Sequence, residues 1–399
     1  MPRSRPLAAM ARRAAVCTAV AALLAGGVTA WVIAQPPGPS RLTPLAQSSA
    51  PIGGAGNNPA TTTSSAFRLA MTRHYGLPAN ASGYSVILVT GSQEVWALGG
   101  TNPGGPSAPV ATLWDGDMSA TATLPGGLTS FITDASATAS SDIWAASQFG
   151  RYLLHFDGVR WRVARRWQQG QVTGLTAVTA TDVWVFGTTA DGTSDIGTWH
   201  YDGTSWQRVP GLADSIVRAS AISANDIWAI AATPASYSVV RYDGTSWQQV
   251  PTGSALAGLQ VRDILADSSD NVWILGNKTD TSGGVRLVLL HWNGASWSSL
   301  VTSVNAWAGR LVPGPDGTVL VTATPASASA MGMIVQASAE GGRLVVSPRS
   351  WLSSGGVSDV AVAGLARELW VSGAVLTRTG GDAVIWSGRL PLPVDRLGA

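Results

Sequence analysis

Cysteine and charge are what this sequence has least of. Its single cysteine, Cys17, lies in an N-terminal apolar stretch, so no disulfide can form within the rest of the chain. Charged residues make up only 12% of the sequence, and the formal net charge is +2. Such a balance gives no general electrostatic reason to expect nucleic acid as a partner. Stability therefore has to come from packing.

Recognisable catalytic signatures are also lacking. The sequence contains no nucleophile elbow, phosphate-binding loop, metal-binding helix motif or dinucleotide fingerprint. We therefore assign no catalytic, cofactor-binding or metal-binding residue, and we expect no cofactor. A triad assembled from distant Ser, His and Asp residues stays open, because it leaves no local pattern.

Glycine and tryptophan, by contrast, are abundant. There are 46 glycines, and the 18 tryptophans outnumber phenylalanine and tyrosine combined. Together with frequent Thr, Ser and Val, this composition favours short strands and turns over long helices. A chain of 399 residues could hold two or three average domains, but a repeat array can also grow as one closed body.

The N-terminus has the composition of an export segment. From Ala14 to Ala34 runs an uncharged, mostly apolar stretch of 21 residues, preceded by four arginines. It is either a cleaved signal peptide or an uncleaved anchor long enough to cross about 30 Å of hydrocarbon. The arginines place everything after it outside the cytoplasm. Arg12-Arg13 leaves twin-arginine export as a weaker alternative, because the further residues of that motif are missing.

Three segments follow from these observations. Residues 1–34 are predicted to be an apolar helix, acting as signal peptide or signal-anchor transmembrane segment. Residues 35–82 are rich in Pro, Gly, Ser and Thr and are predicted to be a flexible linker. Residues 83–395 carry the repeats. Within the linker, Phe67 to Tyr75 has enough bulk to form a short helix or a strand against the body, and the sequence leaves this open.

A hexapeptide identifies the repeats. Tyr201 to Trp206 recurs unchanged at Tyr242 to Trp247, with relaxed copies at Phe156 to Trp161 and Trp292 to Trp297. Around each copy we predict four short strands, of which the second begins Asp/Glu-x-Trp and the third ends in Asp-Gly or Asn-Gly. The hexapeptide itself is predicted to be the turn between the third and fourth strands.

The tryptophans of the second strands fix the number of repeats. Spacings of 40 to 48 residues separate the members of the series Trp96, Trp144, Trp184, Trp228 and Trp273. Trp370 follows after about twice that period, and a drifted copy with Leu320 in the tryptophan's place lies between. The fold class is therefore predicted to be all-β, a seven-bladed β-propeller of four-stranded blades.

Two expectations about the ring follow. Each second-strand tryptophan should fill the gap between neighbouring blades. The first strand should lie near Tyr84 and the last near Leu390 to Val394, so that the ring closes by contact between the terminal blades, unless the segment at Phe67 supplies an extra strand.

These repeats resemble those of exported bacterial propellers. Asp182-Val183-Trp184, Asp226-Ile227-Trp228 and the Tyr242 hexapeptide are similar to the repeats of the kelch, galactose-oxidase-like and sialidase-like propeller group. The resemblance covers about residues 83–394 and implies a propeller. It implies no particular activity, because propellers of this group serve as enzymes, lectins and docking platforms. The doublet Gly-Gly of a kelch repeat occurs after the second strand only at Gly99-Gly100.

Three clusters have both a chemical and a structural interpretation. His155, His200 and His291 share one repeat position, which would splay them around the ring, so we favour a structural role over a metal site. The segment 191–195 could hold calcium through two carboxylates, although a turn is favoured. The basic and aromatic segment 160–167 could meet an anionic polymer, although charges on an outer strand also discourage edge pairing.

The loops between second and third strands are the best candidates for recognition, because they vary while the frame repeats. The longest are Gly99 to Pro109, Gly187 to Thr198, Gly276 to Arg286 and Ala374 to Asp382. The possible ligand-facing residues in them are Asn102, Asp191, Asp195, Lys278, Arg286 and Arg378.

The sequence thus predicts an exported or membrane-anchored propeller, a monomer that serves as a binding or scaffolding module for protein or glycan at the cell envelope. The alternative is a glycan-directed hydrolase or lyase of the cell envelope with its site at the central opening. That alternative predicts carboxylates, Arg or Tyr converging there, with Asp263, Asp267 and Asp270 as the first acids to consider.

Overall fold

The computed structural model describes residues 71–75, 82–91, 93–101, 107–188, 196–210, 216–232, 236–326, 332–340, 343–346, 350–351, 356–363, 368–377 and 380–389. These residues form an all-β propeller, with a single 3-10 turn at Pro315–Gly317 and no α-helix among them. No helix within these ranges could cross a membrane. The predicted apolar helix at 1–34 and most of the predicted linker lie outside the described residues.

The strands pair antiparallel with their neighbours in the chain, as the hairpin signals predict. Four sheets have four strands each: β2 (Ser82–Val89), β3 (Val95–Thr101), β4 (Ala108–Trp114), β5 (Ser119–Thr121); β6 (Asp134–Ala139), β7 (Asp142–Ser147), β8 (Tyr152–Phe156), β9 (Trp161–Arg166); β10 (Gln171–Thr179), β11 (Asp182–Thr188), β12 (Thr198–Tyr201), β13 (Trp206–Val209); β14 (Ile216–Ser223), β15 (Asp226–Ala232), β16 (Tyr237–Tyr242), β17 (Trp247–Val250).

The remaining strands form two further sheets. One has eight strands: β18 (Gln260–Ser268), β19 (Asn271–Thr279), β20 (Val285–Trp292), β21 (Trp297–Pro313), β22 (Val319–Pro325), β23 (Met333–Glu340), β24 (Arg343–Val346) and β25 (Ser350–Trp351). The other has four: β26 (Gly356–Ala363), β27 (Glu368–Thr377), β28 (Gly380–Arg389) and β1 (Met71–Tyr75).

The prediction of seven blades is wrong. The described strands form six hydrogen-bonded sheets, so by this count the propeller has six blades. The repeats expected to be the fifth and sixth blades share the 17-residue strand β21, which pairs with β20 through its first half and with β22 through its second. Because no Gly or Pro interrupts the chain from Trp297 to Ala308, this strand runs on where a turn was expected. The second-strand tryptophans mark sequence repeats, and two of these repeats lie in one sheet.

The ring closes through the N-terminal segment. Strand β1 pairs antiparallel with β28 from Met71↔Gly388 to Tyr75↔Val384, so it supplies the outer strand of the last sheet. The question about Phe67 to Tyr75 is thus answered in favour of a strand from Met71 onward, within the segment assigned to the linker. The expected closing strand at Leu390 to Val394 lies outside the described residues.

The repeat tryptophans pack between successive repeats, which confirms their predicted role. The ring centroid of Trp144 lies 6.1 Å from that of Trp206 in the next repeat. Trp184 lies 5.1 Å from Tyr242, again in the next repeat. The indoles of Trp144 and Trp184 are at most 3% exposed, and burying one contributes roughly 3 kcal/mol.

The hexapeptide forms the predicted turn. The Asp202 carboxylate accepts hydrogen bonds from the backbone N–H groups of Thr204 (2.9 Å) and Ser205 (2.7 Å). Gly203 has φ +88°, a conformation that costs glycine least. Hydrogen bonds from the Thr204 side chain and the backbone N–H groups lower the pKa of Asp202. The hexapeptide is therefore a structural turn that precedes a packed aromatic residue.

Candidate functional site

The first strand of each repeat lines the centre of the propeller. β6 packs against β10, β10 against β14, β14 against β18, β18 against β21, and β21 against β26, while β2 completes the ring by contacting β26 and β6. Five of these strands carry a β-bulge near their start, and β21 carries one between Ala308 and Leu311. A bulge redirects the side chains beside it. The first strands therefore present side chains to the ring centre at a defined level.

Five charged residues occupy that level. They are Asp134 (β6), Arg218 (β14), Asp263 (β18), Arg310 (β21) and Asp359 (β26). The equivalent positions on β2 and β10 are the uncharged Val86 and Gly174. We call these five charged residues the channel mouth. Such a cluster is notable because charged residues make up only 12% of the sequence.

The channel mouth and the loops between second and third strands share one face of the ring. β18 begins at Gln260, opposite Asn277 near the end of β19. The first strand of a repeat therefore starts where its second strand ends. Arg218 and Asp263 lie within four residues of their strand starts. The channel mouth consequently opens toward the loops between second and third strands.

Arg310 crosses the ring. Its Nη2 atom lies 3.0 Å from Oδ1 of Asp134, and its Nε atom lies 3.7 Å from Oδ2 of Asp263. Because β6 and β21 are not neighbours in the ring, the first ion pair spans the central opening. The Arg310 side chain is still 26% exposed, so part of it faces solvent.

Arg218 extends the network to a fourth strand, β14. Its Nε atom lies 3.9 Å from Oδ1 of Asp263, and its Nη1 atom donates hydrogen bonds to the carbonyl oxygens of Val217 and Thr173. Asp263 is thus flanked by two guanidinium groups. Burial lowers the pKa of Arg218 and is opposed by Asp263 and Asp134.

The three carboxylates also join successive repeats. Each accepts a hydrogen bond from a backbone N–H group of the next repeat. The pairs are Asp134 with Leu175 at 2.9 Å, Asp263 with Leu311 at 2.8 Å, and Asp359 with Ile87 at 3.1 Å. The last pair joins the final sheet to the first, so these carboxylates are part of what holds the ring closed.

Electrostatics distinguish Asp359 and Arg310. Burial raises the pKa of Asp359 to about 6, although Arg310 and the N–H group of Ile87 act in the opposite direction. Its Oδ1 atom is buried and has no hydrogen-bond partner among the described residues. Burial also opposes the charge of Arg310, but Asp134 and Asp263 outweigh this effect and raise the pKa of Arg310.

The acids proposed for an enzyme separate in space. Asp263 lies in the channel mouth, but Asp267 and Asp270 lie at the turn into β19, at the opposite end of the strand. Asp267 accepts a hydrogen bond from Asn271 (3.1 Å), and Asp270 accepts one from Ser268. The three acids therefore do not form one site.

Two of the predicted ligand-facing residues belong to a hairpin that we call the rim hairpin, residues 277–286. Lys278 is exposed. Arg286 donates from Nε to Asp280 at 2.9 Å and from Nη1 to the carbonyl oxygen of Ser303 at 3.1 Å. Hydrogen bonds from the Ser282 side chain and the Gly284 N–H lower the pKa of Asp280 to about 2. Asn102, Asp191, Asp195 and Arg378 lie outside the described residues.

The rim hairpin is attached to β21. Besides the contact of Arg286 with Ser303, the backbone N–H group of Val285 donates to Oδ1 of Asn305 at 3.2 Å. Trp307, 39% exposed, follows on the same strand, and Arg310 lies three residues further on. One strand therefore leads from the rim hairpin to the channel mouth.

Each repeat-position histidine pairs within its own sheet. His155 lies 2.6 Å from Asp142, His200 lies 2.8 Å from Asp182, and both stack on the tryptophan of the same repeat. His291 lies 2.9 Å from Asn271. Within the described part of the chain, His, Cys, Asp and Glu form no cluster able to hold a metal ion. The histidines are structural.

The basic segment 160–167 is engaged in local contacts. Arg162 pairs with Asp157, and the guanidinium carbon of Arg165 lies 3.8 Å from the ring centroid of Trp199. Trp161 and Trp167 are buried. An anionic polymer at this strand remains a prediction that the structure does not test.

Sequence analysis missed four of the five residues of the channel mouth, although a signal was present. Asp134, Arg218 and Asp263 each lie ten residues before their repeat tryptophan, and Arg310 lies ten residues before Leu320. Aligning the repeats on tryptophan would have placed these charges at one level of the ring. They belong to no local catalytic motif in the sequence.

Comparison with known proteins identifies the fold alone. No family model matches the chain, and no curated protein does. Among solved structures it is similar to YCF48 bound to a D1 peptide, at 12% identity and TM-score 0.56 over 84% of this chain and 100% of that chain. YCF48 from Cyanidioschyzon merolae gives 12% identity and TM-score 0.52, over 80% of this chain and 98% of that one.

A third similar structure is a catalytically inactive variant of virginiamycin B lyase from Staphylococcus aureus with quinupristin. Its identity is 12% and its TM-score 0.55, over 81% of this chain and 100% of that chain. The three structures agree with the described strands that the chain is a β-propeller. At this level of identity they assign neither a function nor one of the propeller groups that the repeats resemble.

Proposed function

We propose that this chain is an exported or membrane-anchored propeller that binds a protein partner at the cell envelope. The proposed binding face consists of the rim hairpin, the exposed part of β21 and the channel mouth. The observation that carries the proposal is the continuity of these parts: Ser303 and Asn305 hold the rim hairpin, and the exposed Trp307 and Arg310 follow on the same strand.

The side chains on this face are of the types that anchor protein partners. Tryptophan, tyrosine and arginine contribute most of the binding energy in protein interfaces. Trp307 is one of the few exposed large apolar side chains among the described residues, and Tyr237, on the same face, is another. Because Trp307 lies opposite Thr324 in the pairing of β21 with β22, its backbone is held in the sheet, which lowers the entropic cost of binding.

The similar structures are consistent with this class of function. YCF48 is a propeller-like neighbour with a bound D1 peptide. That observation concerns YCF48 and supports peptide or protein binding here only as a class, because the identity is 12%.

The enzyme alternative has one observation in its favour. Asp134 and Asp263 approach the same guanidinium group, so carboxylates and arginine do converge at the centre. However, each carboxylate is held by a backbone N–H group of the next repeat. Asp359 alone combines a raised pKa with an unbonded oxygen atom, whereas glycoside hydrolysis needs a pair of carboxylates with separate roles. Binding is therefore the better-supported function.

Site-specific photo-crosslinking tests the proposed face. A benzoylphenylalanine introduced at Lys278 or Trp307 of the full chain, expressed in its source cells, should capture one defined protein. The matched control is Ala295, which is exposed in the turn between β20 and β21 at the opposite end of the same sheet. Capture of the same proteins from all three positions, or from none, would contradict the proposal. Capture of glycan instead would overturn the choice of a protein partner.

Export requires a separate experiment. N-terminal sequencing of the fractionated protein should find either a mature start near Trp31 or Gln35 in the extracytoplasmic fraction, or an intact N-terminus in the membrane fraction. An intact chain in the cytoplasmic fraction would refute export in both forms.

A further inference from the structure

One arginine on the proposed face has no counter-ion. Arg262 occupies the β-bulge of β18, next to Asp263 of the channel mouth. No carboxylate among the described residues lies within ion-pair distance of it, and its Nε atom is buried without a hydrogen-bond partner. Burial lowers the pKa of Arg262, and a smaller charge effect of the Tyr237 hydroxyl acts in the opposite direction.

A half-buried guanidinium without a partner is unfavourable for folding. Burying charge costs free energy unless the charge is paired and hydrogen-bonded. The neighbouring guanidinium groups of Arg218 and Arg310 differ from that of Arg262, because each has a carboxylate within 4 Å. All three arginines have a buried Nε atom without a hydrogen-bond partner, so Arg262 differs from the other two in having no carboxylate within ion-pair distance among the described residues.

The position of Arg262 favours a ligand that approaches from the proposed binding face. Tyr237 begins β16 opposite Ala232, at the end of its sheet where second strands pass to third strands. Arg262 lies at the corresponding end of β18. β14, β18 and β21 are successive around the ring, so the three strands that bear Arg218, Arg262 and Arg310 are adjacent.

We infer that Arg262 binds a carboxylate of the protein partner. This inference rests on the proposed function and adds the chemistry of the partner. The geometry of guanidinium matches a carboxylate through two parallel hydrogen bonds, which are stronger than neutral ones. Trp307 and Tyr237 supply aromatic surface for the residues that flank the carboxylate.

Synthetic peptides test this chemistry on the full-length purified chain. The probes are a fluorescein-labelled acetyl-Ala-Glu-Glu-Glu-Ala-amide and the same peptide with Gln in place of Glu. A third peptide carries Gln and a free C-terminal carboxylate, which separates side-chain from terminal carboxylates. We expect at least one carboxylate-bearing peptide to bind about tenfold more tightly than the neutral one, as for other charge-assisted hydrogen bonds. Equal affinity for all three peptides would overturn the inference.

Two variants assign the effect to Arg262. Arg262→Gln should abolish the preference for carboxylate. Arg162→Gln removes the same charge from the exposed outer strand β9 and should change affinity by less than about twofold, because distant exposed charges are screened. An equal loss in both variants would show a general charge effect and would contradict a specific site.

Thermal unfolding separates a binding role from a structural one. Because Arg262 has no counter-ion in the described residues, Arg262→Gln should leave the melting temperature of the free protein unchanged or raise it. A fall of several degrees would assign Arg262 to the fold and refute the inference. If crosslinking at Lys278 captures a protein whose binding does not depend on Arg262, the proposed function stands and the carboxylate inference fails.

Discussion

The two ends of the propeller use the same chemical pairing in different ways. At the end where third strands turn into fourth strands, a cation or histidine pairs with an acid or amide of its own sheet, as in His200 with Asp182 and Arg241 with Asp226. At the channel mouth, pairs join different repeats, and the residue type changes from repeat to repeat. Repeated pairs build the blades. The unrepeated pairs join separate repeats around the central opening.

This comparison predicts different costs of losing one partner. Arg310→Met should lower the free energy of unfolding by about 3–5 kcal/mol, because Asp134 would keep a buried charge without its counter-ion and Asp263 would keep only Arg218, at 3.9 Å. Arg241→Met should cost at most about 1 kcal/mol, because its pair lies within one sheet and its side chain is 39% exposed. Urea unfolding of both variants measures the difference. Equal losses of unfolding free energy would show that breaking an ion pair at the channel mouth costs no more than breaking one within a blade.

The pH dependence of stability should have opposite signs at the two ends. Asp359 has a folded-state pKa raised to about 6 from its ordinary 3.8, so the folded protein binds the extra proton between about pH 4 and 6. Relative to Asp359→Asn, the wild type should therefore lose about 3 kcal/mol of stability as the pH rises through this range. The amide oxygen of Asn can still accept the hydrogen bond from Ile87.

Asp202 is the matched control for this experiment. Its pKa is lowered by hydrogen bonds in the hexapeptide turn. Its contribution to stability is therefore present above the ordinary pKa of aspartate and is lost as the pH falls. Unfolding free energies of Asp202→Asn and wild type should diverge as the pH rises, in favour of the wild type. The same sign for both aspartates would disprove the assigned burial of Asp359.

The smallest effect is expected within a blade. His200→Ala removes a stacked contact with Trp184 at 4.2 Å between centroids and one hydrogen bond to Asp182. Trp184 still donates to Asp182 at 2.8 Å, so the carboxylate keeps a partner and the loss should be about 1 kcal/mol. Thermal unfolding measures it. A loss as large as that of Arg310→Met would remove the distinction between the two ends.

Much of the fold could be predicted because local signals repeat. Asp202 and Gly203 specify their turn by hydrogen bonds and backbone conformation alone, and Trp144 or Trp184 could be assigned to the gap between repeats from periodicity. The predicted number of blades was wrong because of β21. The chain from Trp297 to Ala308 contains no Gly or Pro, so one strand runs through two repeats and joins them in one sheet. The pairing of Met71–Tyr75 with Gly380–Arg389 was equally out of reach, because more than 300 residues separate partners that share no motif.

The candidate site divides in the same way. Lys278 and Arg286 were found because they lie in a loop of unusual length, which a sequence displays directly. Arg310 and Asp134 were not found, because their pairing exists only when the ring closes and brings non-neighbouring strands across one opening. By itself the sequence determined the repeat, its turns and its aromatic packing, since these depend on residues close in the chain. The tertiary structure alone decided the number of sheets, the closing strand and the meeting of charges at the mouth, since these depend on closure of the whole ring.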